Sequence, residues 1–238
     1  MRTAIDRRRL LLAAAAAAAL APFGGLKAAA SQTLLRRAMA YAGGRQALER
    51  VRLLSWEGEA VVHAGGRDVR IGVSTMVVPF AAARSASWPL AEGKAATRTM
   101  LITEESARLE RGGTSAPLPD ALAAHERAQF AIYGLMLLAP LESGGASLRR
   151  LPDERGMKVL RVVHPKAPVT RLYFESDGRL AEAANNVPDP ESGAPIAQRF
   201  FFSPETMPGP VRWPRGLRIE QQGRPYFEMA LSRFEAAA

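Results

Sequence analysis

The feature that most constrains the fold of this chain is an alternation of apolar and polar residues between tight glycine turns. In segment 69–77 every second residue is aliphatic or threonine, and most residues between them are polar or glycine. A period of two places alternate side chains on opposite faces of a β-strand. Gly65-Gly66 separates this segment from another at 57–63, and Asp177-Gly178 and Gln222-Gly223 separate later pairs. These dipeptides favour β-hairpins, so the pattern predicts an antiparallel sheet.

Several further segments show the same strand pattern. The Gly112-Gly113 pair is predicted to end a first series of strands, and a second series follows a helical region in the middle of the chain. No internal repeat, heptad or long linker interrupts them, so residues 31–238 are predicted to form a single domain. The additional predicted strands are 97–103, 106–111, 158–164, 169–175, 179–187, 195–203, 217–220 and 224–234.

Two helical regions accompany these strands. Apolar residues recur at helical spacing in 31–42, and segment 45–51 continues helically after Gly43-Gly44. Segment 120–139 keeps the same period and ends apolar nearly all round, which predicts a buried helix. A long antiparallel sheet twists and curls, so this helix is expected to cover one of its faces. The predicted fold class is therefore α+β, mainly β.

The first thirty residues have the organisation of a cleavable signal peptide. Arg7-Arg8-Arg9 form a positive region, residues 10–23 are apolar and uncharged, and Ala28-Ala29-Ala30 provide a cleavage site before Ser31. The apolar stretch is about fourteen residues long, whereas a membrane-spanning helix needs about 20. We therefore expect residues 1–30 to be removed and the mature chain to work in the periplasm.

The basic region resembles a twin-arginine export signal. Arg7 and Arg8 are followed by one residue and then by Leu10 and Leu11, which is similar to the motif of that class. The resemblance implies export of an already folded chain, and an ordinary Sec signal with an arginine-rich start is the alternative. The sequence contains no cysteine, so neither a lipid-anchored cysteine nor a disulfide is expected.

The distribution of charge argues against a nucleic-acid partner. The formal net charge is +9, but residues 1–30 contain five basic side chains against one acidic one, so about +5 remains for the mature chain. The arginines of the mature chain are spread along it rather than clustered in a stripe. We predict no nucleic-acid binding. A mildly basic surface is compatible with transient contact with an anionic envelope membrane or a membrane protein, or with simple solvation.

No motif for catalysis or metal binding stands out in the sequence. The His125-Glu126 pair lacks the second histidine of an H-E-x-x-H zinc site, and no G-x-S-x-G nucleophile elbow occurs. Gly112-Gly113 and Gly144-Gly145 lack the lysine of a phosphate-binding loop. We therefore predict no catalytic residue, metal or cofactor, and a hydrolase or metal-dependent enzyme is the least favoured function.

Three segments of the chain resemble the LolA/LolB superfamily of periplasmic lipoprotein carriers. They are a helix running into a first strand at 42–58, a strand–turn–strand at 170–180, and two closing strands at 211–234. The resemblance implies an unclosed half-barrel, in which helices cover the concave face of a strongly curved antiparallel sheet. It also implies a non-catalytic carrier of lipid, lipoprotein acyl chains or another hydrophobic ligand. An envelope interaction or sensor protein on the same fold is the alternative.

Seven apolar residues are candidates for the lining of such a cavity. Methionine adapts its shape to irregular ligands, and aromatic rings supply large apolar surfaces. Successive phenylalanines at 200–202 must point to both faces of a strand, so alternate rings of the three share a face. The predicted lining residues are Met76, Phe130, Tyr133, Met136, Phe200, Phe202 and Met229.

Overall fold

The structure, a computed structural model, describes residues 23–143 and 145–238. Ala28 and Ala30 of the predicted cleavage site lie on an exposed part of the first described helix, which continues through that site. Signal cleavage therefore stays a prediction. The predicted signal residues that lie outside the described part of the chain are Arg7, Arg8, Leu10 and Leu11.

The described chain is mainly β, with helices at its start and in its middle. The helices are α1 (Phe23–Tyr41), α2 (Arg45–Arg50), α3 (Asp120–Met136) and α4 (Pro140–Ser143), with a 3₁₀ turn at Lys94–Ala96. The strands before α3 are β1 (Leu53–Ala64), β2 (Arg67–Val78), β3 (Ala82–Pro89), β4 (Arg98–Thr103), β5 (Ala107–Arg111) and β6 (Thr114–Pro117). The strands after it are β7 (Ser147–Glu154), β8 (Met157–His164), β9 (Ala167–Phe174), β10 (Leu180–Pro188), β11 (Pro195–Phe202), β12 (Thr206–Met207), β13 (Trp213–Pro214), β14 (Gly216–Gln221) and β15 (Arg224–Ala237).

Thirteen of these strands form one antiparallel sheet in the order β6-β5-β4-β3-β2-β1-β15-β14-β11-β10-β9-β8-β7. Strands β1 to β6 make one meander, and β7 to β11 together with β14 make another. The last strand, β15, pairs with β1 and β14 and so joins them, while β12 and β13 form a separate two-stranded sheet. The two ends of the sheet, β6 and β7, are not paired with each other. The predicted unclosed antiparallel sheet is confirmed.

The curvature of the sheet follows from what α3 contacts. This helix packs against β4 in one half of the sheet and against β9 and β10 in the other. Many strands separate these contacts in the sheet order, so the sheet must curl around the helix for one helix to touch both. The curled sheet and α3 together bury the main hydrophobic core.

A tight approach between β1 and β15 accommodates the curl at the centre of the sheet. The register of this pair shifts between Glu57 and Gly58, which is a β-bulge of the kind that increases local twist. A Cβ atom at position 58 would lie 2.2 Å from the carbonyl oxygen of Ala230. Only glycine permits this approach without moving the backbone.

Helix α1 packs against the β7 end of the sheet. It contacts β7 and β8, and the Ser31 hydroxyl accepts a hydrogen bond of 2.8 Å from the backbone N–H of Arg150 on β7. Apolar side chains on one side of α1 are buried, among them Leu35 and Met39. The helix therefore covers part of one edge of the sheet.

Three strands of the thirteen-stranded sheet were not predicted from the sequence, and neither were the two short strands β12 and β13, which pair only with each other. Strand β6 follows Gly112-Gly113, so the prediction that this pair ends the first series is wrong: it forms a hairpin turn. Strand β3 is rich in alanine and serine, and it buries polar contacts such as Thr75 Oγ1 to Ser85 Oγ at 2.9 Å. Strand β7 lies at a sheet end and carries charged residues. Apolar and polar residues alternate clearly only in a strand that has one apolar and one solvated face. The compositions of β3 and β7 lack this alternation, so no pattern in the sequence predicts them.

The central helix is shorter than predicted. It ends at Met136 rather than residue 139, and Pro140 begins a separate short helix. Leu138 has a φ of 61°, a left-handed conformation that an α-helix does not accept. Its side chain is 1% exposed, so hydrophobic burial offsets the strain of the break.

Candidate ligand-binding site

The C-terminal half of α3 inserts aromatic side chains into the concave face of the sheet. The Tyr133 ring lies 4.7 Å from that of Trp56 on β1 and 6.3 Å from that of Trp213 on β13. The Phe130 ring is 6.0 Å from that of Tyr133. Burial raises the pKa of the Tyr133 phenol, because an apolar surrounding disfavours the phenolate. Tyr133 is therefore the centre of an uncharged aromatic cluster that holds the helix against the sheet.

Four of the predicted lining residues meet around one small interior cavity. Tyr133 and Met136 reach it from α3, Phe202 from β11 and Met229 from β15. The cavity has a volume of only 10 Å³, close to the minimum that a single water molecule occupies. The sequence therefore identified side chains that come together, and in this conformation they fill the concave interior themselves.

The other three predicted residues lie in different places. Phe200 is completely buried on β11 beside Phe202, with 6.4 Å between ring centroids. Phe130 lines a second and larger pocket. Met76 lies on the opposite face of β2 from Thr75 and is 42% exposed, so the structure does not bring it together with the four residues around the interior cavity.

The larger pocket opens beside α3 and has a volume of 230 Å³. Its walls are apolar and come from the start of β3, the end of β4 and the middle of α3. Its rim is charged: Lys166 Nζ pairs with Glu104 Oε2 at 3.0 Å, and Arg127 Nε donates to the Thr103 carbonyl oxygen at 2.8 Å. An apolar pocket with a polar rim is the usual form of a site for an amphipathic ligand.

Phe80 separates this pocket from the interior. It lies in the turn between β2 and β3 with a φ of 60°, and its ring stacks on that of His164 with 4.1 Å between centroids. His164 ends β8 in the other half of the sheet, so the stack connects the two halves. Desolvation and then the charge of Lys166 lower the pKa of His164. The neutral imidazole that results suits stacking on an apolar ring.

The N-terminal half of α3 faces a polar environment. His125 is completely buried; its Nδ1 donates to the Pro188 carbonyl oxygen at 2.7 Å, and its Nε2 lies 3.1 Å from Gln129 Oε1. The next residue, Glu126, has a pKa raised to about 7 by desolvation, which the charge of Arg98 opposes. The His125 ring also meets the Tyr226 ring edge-on at 6.3 Å. The site therefore has an apolar half and a polar half.

Sequence reasoning missed Phe80, Gly134, Glu126 and the polar half. A glycine inside a helix that is otherwise well formed was the available signal for a close contact at position 134. In residues 23–143 and 145–238, no cluster of three or more histidine, aspartate or glutamate side chains could hold a metal ion. No helix in the same part of the chain is both long and apolar enough to cross a membrane.

An open antiparallel sheet curled around a helix defines the half-barrel class of protein, and solved structures of that class align with this chain. An outer membrane lipoprotein-sorting protein domain from Vibrio parahaemolyticus aligns with a TM-score of 0.54 at 10% identity, covering 88% of this chain and 93% of that one. A LolA superfamily protein from Nitrosomonas europaea aligns with a TM-score of 0.54 at 12% identity, covering 87% and 94% respectively.

A DUF1329 family protein from Desulfovibrio piger aligns with a TM-score of 0.53 at 11% identity, covering 87% of this chain and 92% of that one. No protein-family model and no curated protein sequence matches the chain. The chain thus has the fold of the LolA superfamily, as the resemblance in the sequence implied. At these identities the similarity shows the fold alone.

Proposed function

We propose that the mature chain is a non-catalytic periplasmic carrier that binds a lipid, a lipoprotein acyl chain or another hydrophobic ligand between α3 and the concave face of the sheet. The observation that carries the proposal is the gathering of Tyr133, Met136, Phe202 and Met229 around one point beneath α3. These are adaptable or aromatic apolar side chains. They come from one helix and two strands that are distant in sequence.

Binding of an acyl chain requires α3 to move, because the interior cavity of 10 Å³ holds no such chain. The ends of the helix are suited to this motion. Pro119 precedes the helix without a side-chain cap, and the break at Leu138 follows it. An apolar ligand would replace the contacts that the α3 side chains make with the sheet, which keeps the apolar surface buried in both states.

The 230 Å³ pocket beside Phe80 is the proposed route to the interior. It exposes apolar walls to solvent next to α3. Phe130 belongs both to the pocket and to the aromatic cluster, since it lines the pocket and its ring is 6.0 Å from that of Tyr133. A ligand that enters here first meets the residues whose movement would open the cavity.

Native mass spectrometry of the mature protein, purified from a periplasmic fraction, tests the proposal. We expect a reproducible mass increment that extracts into organic solvent as a phospholipid, an acylated peptide or a fatty acid. The delipidated protein should regain an increment when it is incubated with palmitic acid. A protein that is apo as purified and stays apo with both palmitic acid and an uncharged palmitoyl ester would contradict the carrier function and favour an envelope interaction protein.

A further inference from the structure

Three carboxamide side chains form a row across the concave face of the sheet. Asn185 on β10 lies directly opposite Gln198 on β11, and Gln198 lies directly opposite Gln221 on β14. The strand alternation places Gln198 on the same face as Phe200 and Phe202. The row therefore continues the apolar wall of the proposed ligand site into the polar half beneath α3.

The carboxamides of this row have unused hydrogen-bonding capacity. Asn185 is 8% exposed and Gln198 is 2% exposed. Among the described residues, no partner exists for Asn185 Nδ2 and Oδ1, Gln198 Oε1 or Gln221 Nε2, although all four atoms are buried. Buried polar atoms are almost always paired in folded proteins. Four unpaired atoms in one row are unusual, and they indicate that a polar group completes them.

The side chains of α3 that contact the row do not satisfy its unpaired atoms. Gln198 Nε2 donates to Gln129 Oε1 at 3.1 Å, and Gln129 contacts His125, which is held by the Pro188 carbonyl. Reversing the amides of Gln129 and Gln198 together keeps their contact and leaves the Gln198 NH₂ group unpaired instead of its carbonyl. In either orientation one end of the Gln198 amide points to no partner.

We propose that the row of Asn185, Gln198 and Gln221 binds the uncharged polar head group of an amphipathic ligand, through its hydroxyl or amide groups. Such groups both donate and accept hydrogen bonds, which matches free NH₂ groups and free carbonyl oxygens in one row. The row itself consists of uncharged carboxamides, and beside His125 on α3 the charges of Glu126 and Arg98 have opposite signs and interact with each other. The row therefore offers neutral donors and acceptors, which suit an uncharged head group.

The position of the row determines how the ligand lies. Phe200 and Phe202 follow Gln198 on the same strand and the same face. Phe202 lies opposite Leu217 on β14, and Leu217 lies opposite Met229 on β15. An acyl chain along these residues would place its polar end at the carboxamides. This inference rests on the proposed carrier function and adds the chemical class of the ligand head.

A matched pair of ligands tests the inference. 1-Monopalmitoylglycerol and methyl palmitate are both uncharged and carry the same acyl chain, but only the first has free hydroxyl groups. We expect wild-type protein to bind the monoglyceride at least about tenfold more tightly, because a site built to hydrogen-bond hydroxyls discriminates against an analogue that lacks them. Affinities are measured by displacement of a fluorescent fatty acid.

The Asn185→Leu/Gln198→Met double variant should bind the two ligands equally while its affinity for methyl palmitate stays unchanged. Asn186→Leu is the matched control, because Asn186 is the exposed neighbour on the same strand and should keep the preference. If the double variant does not fold, the single variant Gln221→Met at the end of the row replaces it. That variant should reduce the preference.

Each outcome separates the two proposals. Equal binding of both ligands by wild-type protein, or an unchanged preference in the row variants, would overturn the head-group site and leave the carrier function standing. Binding of neither ligand by wild-type protein would overturn the carrier function, and the head-group site with it.

Discussion

The ring of Phe80 occupies the space in which the side chain of residue 134 would lie. A Cβ atom at Gly134 of α3 would be 2.6 Å from two ring carbons of Phe80, a separation well below van der Waals contact. The ring is held on its other side by His164 at 4.1 Å between centroids. Gly134 and Phe80 therefore fit each other, and together they close the pocket off from the interior.

A double-mutant cycle tests this relationship. Gly134→Ala in wild-type protein should lower the free energy of unfolding by about 1–2 kcal/mol, because the added methyl overpacks the contact. In a Phe80→Ala background the same change should stabilise by up to about 1 kcal/mol, since alanine is the better helix former. Urea unfolding of the four proteins gives the coupling. Additive effects would show that the two residues do not constrain each other.

Met136 and Met76 form a matched pair for the proposed cavity. Met136 is the last residue of α3 and is 7% exposed, whereas Met76 is 42% exposed on the outer face of the sheet. Met136→Ala should cost about 2–5 kcal/mol of stability, and Met76→Ala about 0.5 kcal/mol or less. Chemical denaturation measures both values.

The same pair tests ligand binding. Met136→Asp should abolish the bound mass in native mass spectrometry, because a carboxylate would have to be buried beside the acyl chain. Met76→Asp should carry the wild-type load. If Met136→Asp does not fold, Met136→Gln is the milder replacement. A folded Met136 variant with an unchanged load would remove this residue from the site.

Glu126 should make the stability of the protein depend on pH. Its pKa is raised from 4.5 to about 7 in the folded state by desolvation, so folding favours the protonated form. The contribution of Glu126 to the free energy of unfolding is about 1–3 kcal/mol. It is fully present below pH 4.5 and is lost as pH rises through 7. The nearby groups are Arg98, which opposes the shift, and the phenols of Tyr133 and Tyr226.

The Glu126→Gln variant isolates this effect. His164 has a lowered pKa, so its contribution has the opposite sign and is lost as pH falls. Subtracting the variant's stability from that of wild-type protein at each pH removes the histidine contribution, which both proteins share. We expect the free energy of unfolding of Glu126→Gln, relative to that of wild-type protein, to rise between pH 5 and pH 8. A difference that does not change with pH would place Glu126 in solvent.

Tryptophan fluorescence should report the opening of the interior. Trp56 and Trp213 lie around Tyr133, whereas Trp88 packs on Gly72 with Lys94 Nζ 5.2 Å from its ring centroid. Palmitic acid should change the emission of the first two, because the aromatic contacts separate when α3 moves. The change should persist in Trp88→Phe. If palmitic acid no longer changes the emission of Trp88→Phe, the ligand binds away from the concave face.

The head-group row and the Phe80 contact could not be predicted from the sequence, for a common physical reason. Asn185, Gln198 and Gln221 lie in three different strands, and their adjacency depends on the register of two strand pairs. Phe80 and Gly134 meet only because the sheet curls around α3. Turn geometry can set the register within a hairpin, but no local pattern indicates the pairing of β11 with β14 or the curl of the sheet.

The amino-acid sequence by itself determined the antiparallel strands, most of their turns and the buried central helix, because these depend on local alternation and turn chemistry. It also identified Tyr133, Met136, Phe202 and Met229, which the fold brings together. Only the tertiary structure decided which of the apolar side chains meet. Phe202 and Met229 lie on strands that do not pair directly, yet both reach the cavity beneath α3, because the curl of the sheet depends on the pairing of strands that are distant in sequence.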